Sequence, residues 1–243
     1  MEEEHIEDTL TEAVTELRRA RFQFEIIVVL DYVPDDRTGS IVHRLCETYG
    51  EIRLVERLGR RGVGDAIRSG IKLARGDILV PIMGDHSESP LDVVRLIDAI
   101  EQGYDIAIGE RFKKGRPEGY PFTKYIANRC CNRLIKLLFH IPSSDTTNAF
   151  KAYRTRLLSQ LGLSSRGFEI FVELPLKVLL KASHAKVIAI SIKHSVRKKR
   201  EAKLSILIDG ARYIKTILSI FFRYKVKRFL RRGVSFGECR GTI

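Results

Sequence analysis

Two acids and a histidine follow directly on an apolar run near the middle of the chain. Residues 78–83 read Ile-Leu-Val-Pro-Ile-Met, and Asp85, His86 and Glu88 come next, before Pro90 opens a helical pattern. Such a run predicts a buried strand that delivers carboxylates to the C-terminal edge of a sheet, where open α/β sheets bind ligands. A hard divalent cation and a nucleotide diphosphate would need such an edge, because carboxylate oxygens are the ligands that a hard cation prefers.

The elements that would position these residues alternate along the chain. Strands are predicted at 25–31, 52–56, 77–83, 105–109 and 186–194, and helices at 4–20, 36–49, 62–74, 91–102, 123–139 and 168–181, the last broken near Pro175. Strands that alternate with helices of this length are typical of βαβ units in a doubly wound α/β sheet.

Positive charge is concentrated towards the end of the chain. The whole chain has a net charge of +13, and residues 193–232 contain 14 Lys and Arg against two acids. A basic segment on a nearly neutral body predicts an anionic partner: phospholipid, a lipid phosphate or nucleic acid. The four cysteines lack C-x-x-C spacing and the first residues are acidic, so we expect reduced thiols, no signal peptide and an intracellular location.

Residues 204–222 are apolar enough to look like a membrane span, but they include Asp209, Arg212 and Lys215. Each charge would cost roughly 2.5–3.5 kcal/mol at the centre of a bilayer. Helical spacing gives instead an amphipathic helix, with an apolar face made of Leu207, Ala211, Ile214, Leu218 and Phe221. Followed by a basic run, this helix predicts contact with an anionic membrane surface. The alternative is a helix packed on its own domain with a solvated basic end.

Six short motifs follow one another along the chain, at residues 28–36, 61–70, 83–90, 109–112, 145–153 and 167–177. In this order they resemble the inverting family 2 glycosyltransferases of the dolichol-phosphate mannose synthase type, over roughly residues 2–205. The resemblance implies a GT-A fold, with a Rossmann-like sheet and flanking helices, over residues 1–203. Residues 204–243 would then form a basic amphipathic C-terminal helix and tail.

The resemblance also implies a reaction. A sugar would pass from a GDP- or UDP-sugar to a polyprenyl (dolichyl-type) phosphate at the cytoplasmic face of a membrane, with Mg²⁺ or Mn²⁺ as cofactor. The acceptor phosphate is already ionised at pH 7, so direct displacement needs positioning and charge neutralisation more than a strong base. The expected protein is peripheral on the membrane, with a membrane protein or a second copy as a further partner and no nucleic acid.

Asp85 matches the last carboxylate of the family's metal motif, and Met83 stands where many relatives have the first. Glu88 or Ser87 is expected to compensate, directly or through water, with Glu88 as the second metal ligand; His86 is not expected to be a ligand, since Mg²⁺ prefers oxygen. The alternatives are a loop acid that caps the next helix for Asp85, and a contact with the helix dipole for Glu88.

Asp31, Gly64 and Asp65 match residues that bind the donor nucleotide. Asp31 closes the first visible strand, and Gly64 lies in a loop where a glycine lets a backbone approach closely. The alternatives are a turn acid for Asp31 and a tight strand-to-helix connection for the glycine loop.

Several residues match the family's acceptor-phosphate pocket or the basic loop that closes over it: Arg111, Lys124, Asn128 and Arg129 for the pocket, and Arg197, Arg200 and Lys203 for the loop. An arginine fork suits phosphate oxygens and a lysine adds a point charge, although a solvated basic surface is the alternative for Lys124. Asp145 is expected to arrange donor and acceptor, or simply to cap a turn. With Asp85 and Arg111 it completes the proposed catalytic set. Glu173, on an apolar helix, is expected to be either buried and paired or in the site.

Two features of the sequence depart from the family pattern. Met83 replaces an acid, and the family's first strand has no counterpart, which predicts a gap beside residues 25–30 and weakened nucleotide binding. The alternatives are an inactive scaffold of the same fold or an enzyme with a non-lipid acceptor. A nucleic-acid-binding protein would explain the basic tail but not the acids at strand ends.

Overall fold

Helices and strands alternate along most of the chain. The computed structural model describes residues 3–31, 36–57, 62–159, 161–182, 184–192 and 206–234. Within these ranges the elements are, in order, α1 (Ile6–Arg19), β1 (Ile26–Asp31), α2 (Thr38–Thr48), β2 (Ile52–Arg57), α3 (Val63–Leu73), β3 (Ile78–Leu79), α4 (Pro90–Glu101), β4 (Ile106–Glu110), α5 (Phe122–Phe139), β5 (Lys151–Arg154), a 3₁₀ turn (Thr155–Leu157), α6 (Ile170–Lys181), β6 (Val187–Ser191) and α7 (Ile206–Val234).

The strands form two sheets. β1 and β2 pair in parallel, with Ile26 opposite Ile52. The second sheet has the order β3-β5-β4-β6, with β4 and β6 parallel and β5 antiparallel to both of its neighbours. Among the described residues no strand joins the two sheets.

Apolar residues cover both faces of the four-stranded sheet. Ile106 and Ile108 of β4 pack in a cluster with α5, α6 and α7, while Ala107, which points the other way, packs in a cluster with α1 and α4. Alternate residues of a strand face opposite sides, so the sheet is a middle layer between two helical layers. The α/β fold class predicted from the sequence is therefore confirmed.

Two predicted elements differ in detail. β3 has two residues instead of the predicted run over 77–83, and Pro81, which lacks an N–H, cannot donate a hydrogen bond to a strand ladder. α6 runs without interruption through Pro175, where the sequence predicted a break. Proline is tolerated in a helix where other groups satisfy the freed carbonyl.

Candidate active site

The loop between β3 and α4 holds the two acids predicted to bind a metal. An Asp85 carboxylate oxygen accepts a hydrogen bond from the Ser87 backbone N–H at 3.1 Å, which closes a tight turn. Glu88 is buried, and one of its carboxylate oxygens has no hydrogen-bond partner. Burial, and then the nearby Asp85 charge, raise the pKa of Glu88 to about 7.

These two acids fit a divalent cation. A buried carboxylate oxygen without a partner, next to a second carboxylate, is a donor set that a hard cation prefers. Among the described residues no cluster of three or more His, Cys, Asp or Glu is placed to hold a metal. A cation here would therefore need further oxygen ligands from a bound diphosphate or from water.

His86 is engaged by a different element. Its ring nitrogen Nε2 lies 2.7 Å from a carboxylate oxygen of Glu12 on α1, and its backbone has a left-handed φ of 58°. This contact joins α1 to the loop that carries Asp85. No local pattern predicts this contact, because the two residues are 74 positions apart.

Arg111 and Asp145 form a buried ion pair. The guanidinium donates to both carboxylate oxygens, from Nε at 2.9 Å and from Nη2 at 2.8 Å, and the Arg111 backbone N–H adds a third bond at 2.9 Å. Asp145 is fully buried. Although burial acts against its charge, the Asp145 carboxylate raises the pKa of Arg111 above its usual value.

A polar network links this pair to α5. Asn132 donates to Thr147 at 2.8 Å, and the Thr147 hydroxyl donates to the Asn128 side chain at 3.2 Å. Asn128 in turn donates to the Tyr120 hydroxyl at 2.8 Å. The structure thus places Asn128 close to Asp145, and Lys124 one helical turn earlier on the same helix.

The sequence missed the residues that support these contacts. The Glu110 carboxylate accepts hydrogen bonds from the Ser144 backbone at 2.5 Å and from the Ser143 hydroxyl at 3.2 Å, which fixes the approach to Asp145. The only available signal for Asn132 was its spacing of four residues from Asn128, which places both on one helical face.

Asp31 fixes the loop that precedes α3. One of its oxygens pairs with the Arg57 guanidinium, and the other accepts the Gly62 backbone N–H at 2.9 Å. Arg57 also donates to the Gly62 carbonyl at 3.2 Å. The Asp31 carboxylate is therefore held by protein groups at the C-terminal end of β1, where the resemblance predicts that it binds the donor.

Gly64 packs against protein backbone. Its N–H donates to the Arg166 carbonyl at 2.9 Å, and a Cβ at this position would lie 2.3 Å from the Ser165 carbonyl oxygen. Only glycine fits this approach. Asp65, the next residue, pairs with Arg68 and has one buried carboxylate oxygen without a partner.

The structure groups the predicted residues into two clusters. The first contains Asp85, Glu88, Arg111, Asp145 and Asn128, and the positive charge of Arg111 reaches Glu88, where it acts to lower the pKa of that carboxyl. The second contains Asp31, Gly64 and Asp65. Arg197 and Lys203 lie outside the described residues. Glu173 is buried and paired with Lys177 at 2.5 Å, which is one of the two outcomes expected for it.

Comparison with known proteins shows the family of this chain. The family "Glycosyl transferase family 2" matches residues 2–162. This chain belongs to glycosyl transferase family 2. The family 2 domain therefore covers the strand-edge acids, Arg111 and Asp145, and the predicted family is confirmed.

Two curated relatives of this family 2 chain share 30% identity with it. One, from Pyrococcus furiosus, is named dolichol-phosphate mannosyltransferase and aligns over 186 residues, 74% of this chain and 51% of its own length. The other, from Mycolicibacterium smegmatis, is named polyprenol monophosphomannose synthase and aligns over 160 residues, 63% of this chain and 60% of its own length. The chain thus spans between half and three fifths of these relatives.

Solved structures share the fold of this family 2 chain. Glucosyl-3-phosphoglycerate synthase of Mycobacterium tuberculosis superposes with a TM-score of 0.67 at 18% identity, over 90% of this chain and 76% of its own. A complex of that enzyme with Mn²⁺, uridine diphosphate and phosphoglyceric acid gives 0.67 at 16% identity, over 89% and 74%. At this identity the likeness concerns the fold alone, and it confirms the predicted GT-A fold.

Proposed function

We propose that this family 2 glycosyltransferase moves a sugar from a GDP- or UDP-sugar to a polyprenyl phosphate, as a peripheral protein at the cytoplasmic face of a membrane. The names of the two curated relatives support this acceptor class. The observation that carries the proposal is the buried Arg111–Asp145 pair beside Asp85 and Glu88, the acids in the loop between β3 and α4. Arg111 could bind the acceptor phosphate, and Asp85 and Glu88 could hold the cation that a diphosphate needs.

The chain's own residues bind and orient the reactants. A guanidinium has five N–H donors, and Asp145 occupies two of those on Arg111, so the others can hold an acceptor phosphate. Asn128 is held in the same network, and Lys124 adds positive charge one turn earlier on α5. Asp85 and Glu88 would hold a Mg²⁺ or Mn²⁺ ion, which when bound neutralises charge on a departing diphosphate.

The reaction proposed here is a direct displacement. An oxygen of the acceptor phosphate attacks the anomeric carbon while the carbon–oxygen bond to the diphosphate breaks on the opposite face, which inverts the anomeric configuration. No side chain needs to remove a proton, because the acceptor oxygen is already ionised. The rate enhancement would come from orientation and from charge stabilisation by preorganised groups such as Arg111.

Helices α5 and α7 support the location at a membrane. α7 packs on its own domain through Tyr213, Ile217 and Ile220, and leaves Leu218 and Phe222 exposed. Apolar exposure of this kind suits the boundary of an anionic bilayer, where basic residues add attraction.

α5 shows the same combination. Phe122, Ile126 and Leu137 are exposed, and their spacing places them on one side of the helix. The helix carries four basic residues and no acid: Lys124, Arg129, Arg133 and Lys136. Within the part of the chain that the structure describes, no helix is long and apolar enough to cross a membrane.

A substrate screen tests the proposal. The full chain would be incubated with labelled GDP- and UDP-sugars and either a short polyprenyl phosphate or phosphoglyceric acid, in Mn²⁺, in Mg²⁺ or with a chelator. We expect metal-dependent transfer to the lipid phosphate. Transfer to phosphoglyceric acid alone would assign a soluble acceptor, and no transfer from any donor by folded protein would contradict the proposal.

A further inference from the structure

Helix α6 contacts two parts of the chain, and each of them supports one of the two clusters of predicted site residues. On one side its Glu173 carboxylate accepts hydrogen bonds from the backbone N–H groups of Ser164, at 3.0 Å, and of Ser165, at 2.8 Å. Lys177, one turn later, pairs with the same carboxylate at 2.5 Å. Although burial opposes ionisation, these bonds lower the pKa of Glu173, so the carboxylate that shapes this turn is charged.

The turn shaped by Glu173 is the surface on which the donor loop rests. We define the donor loop as residues 62–65. The Ser165 carbonyl accepts the Arg68 guanidinium, and the Arg166 carbonyl accepts the Gly64 N–H at 2.9 Å. The backbone of Gly64 thus lies directly against the backbone of Ser165 and Arg166, with no room for a side chain at position 64. A shift of the turn would carry the donor loop with it.

The other support is Lys151. Its side chain is fully buried, and its Nζ donates to the Asn148 carbonyl and, at 2.9 Å, to the Phe171 carbonyl in the first turn of α6. We define the acceptor turn as residues 145–148. The Asn148 N–H closes this turn on the Asp145 carbonyl at 3.2 Å, and the Asn148 side chain donates to the Gly109 carbonyl at 2.8 Å.

Pro175 explains why a lysine can reach the helix backbone. In a regular helix the Phe171 carbonyl would accept the N–H of residue 175, but proline has none. The Lys151 Nζ takes the place of that missing donor. Lysine and proline therefore form a matched pair that ties the acceptor turn to α6.

We infer that α6 is the common support of the two substrate sites, with Glu173 positioning the donor loop and Lys151 positioning the acceptor turn. The inference rests on the proposed function and deepens it. It assigns two positioning residues that touch neither substrate, each acting through one loop.

Two variants separate the two supports. Glu173→Gln keeps the shape but turns an amide towards backbone donors, so the KM for the nucleotide-sugar should rise about tenfold while the KM for the acceptor stays unchanged. Lys151→Met should do the reverse. Hydrogen exchange should quicken in residues 62–66 for the first variant and in residues 143–148 for the second.

A double variant and a control guard against simple loss of stability. Pro175→Ala restores an N–H for the Phe171 carbonyl, so Lys151→Met/Pro175→Ala should regain Tm without regaining acceptor KM, because the Asn148 carbonyl stays unpartnered. Asp105 also accepts a backbone N–H, from Lys186 at 3.0 Å, and pairs with Arg154, but it lies at the opposite end of β4. Asp105→Asn should lower Tm and change neither KM.

The outcomes are distinct. If each single variant changes both KM values alike, or quickens exchange in both loops together, α6 is a structural helix and the inference is overturned. Unchanged exchange in both loops would overturn it as well. The exchange measurement needs no turnover, so failure of the wild-type chain to transfer sugar would remove the proposed function and leave this test standing.

Discussion

Lys151 carries an unusual charge state for a lysine. Complete burial lowers its pKa from 10.5 to about 7, because an ammonium away from water loses its solvation. Between those two pH values the unfolded chain binds a proton that the folded chain does not. This group therefore makes the free energy of unfolding rise with pH, by up to about 1.4 kcal/mol per pH unit.

The Lys151→Met variant should remove that pH dependence. Wild type and variant would be unfolded in urea at several pH values between 7 and 9, and the difference in their free energies of unfolding plotted against pH. We expect the wild type to gain on the variant as pH rises. A difference that stays constant with pH would show that burial does not lower the pKa of Lys151.

Several site residues could be read from the sequence, and their supports could not. Asp85, Arg111 and Asp145 could be predicted to share one site because the motifs that contain them resemble those of the family in the same order. The contacts of Glu110 with Ser143 and of Glu12 with His86 depend on tertiary packing. No local pattern encodes such pairs.

At the scale of elements, α7 shows that the pattern predicted the helix and its exposed apolar stripe, but not the side that packs on the domain. The residues predicted as its buried or membrane-facing stripe include Ile214 and Leu218, and the structure leaves both exposed. The domain packs instead on Ile217 and Ile220. A sequence with apolar residues on two sides of a helix does not specify which side its own domain will cover.

The exposed side of α7 gives a testable expectation. Leu218→Ser/Phe222→Ser should weaken binding to phosphatidylserine-containing vesicles about tenfold or more, because two apolar side chains no longer enter the bilayer boundary. Sedimentation with vesicles measures this. Leu91→Ser is the matched control, since Leu91 is 59% exposed on α4, and it should bind like the wild type.

Salt and lipid charge complete that test. Binding should fall as ionic strength rises and should be weak on neutral phosphatidylcholine, because the basic residues act through screened attraction. If the double variant and Leu91→Ser bind equally well, α7 does not face the membrane.

At the scale of the whole molecule, the order of elements was predictable and the sheet pairing only partly so. Apolar runs and helical spacing located nearly every element. The antiparallel direction of β5 has no local signature, because a strand's partner is chosen by the chain that surrounds it.

Among the described residues β1 pairs only with β2, which bears on the donor site. β1 ends in Asp31, which holds the loop before α3, and its apolar residues Ile26, Ile27 and Leu30 are only partly buried. An added apolar strand fused before residue 1 should pair beside β1 and tighten binding of GDP or UDP. Calorimetry would measure both forms, and equal affinities would show that the gap does not limit donor binding.

The acids at the end of β3 allow the most direct test of the proposed reaction. Transfer of sugar to a short polyprenyl phosphate would be measured against Mn²⁺ concentration for wild type, Asp85→Asn and Asp92→Asn. Asp92 is a buried acid nearby on α4 that pairs with Arg95 at 2.5 Å, so its variant controls for lost stability. We predict that Asp85→Asn loses about a hundredfold or more of the metal-dependent rate while Asp92→Asn keeps it. Equal turnover by wild type and Asp85→Asn would contradict the site.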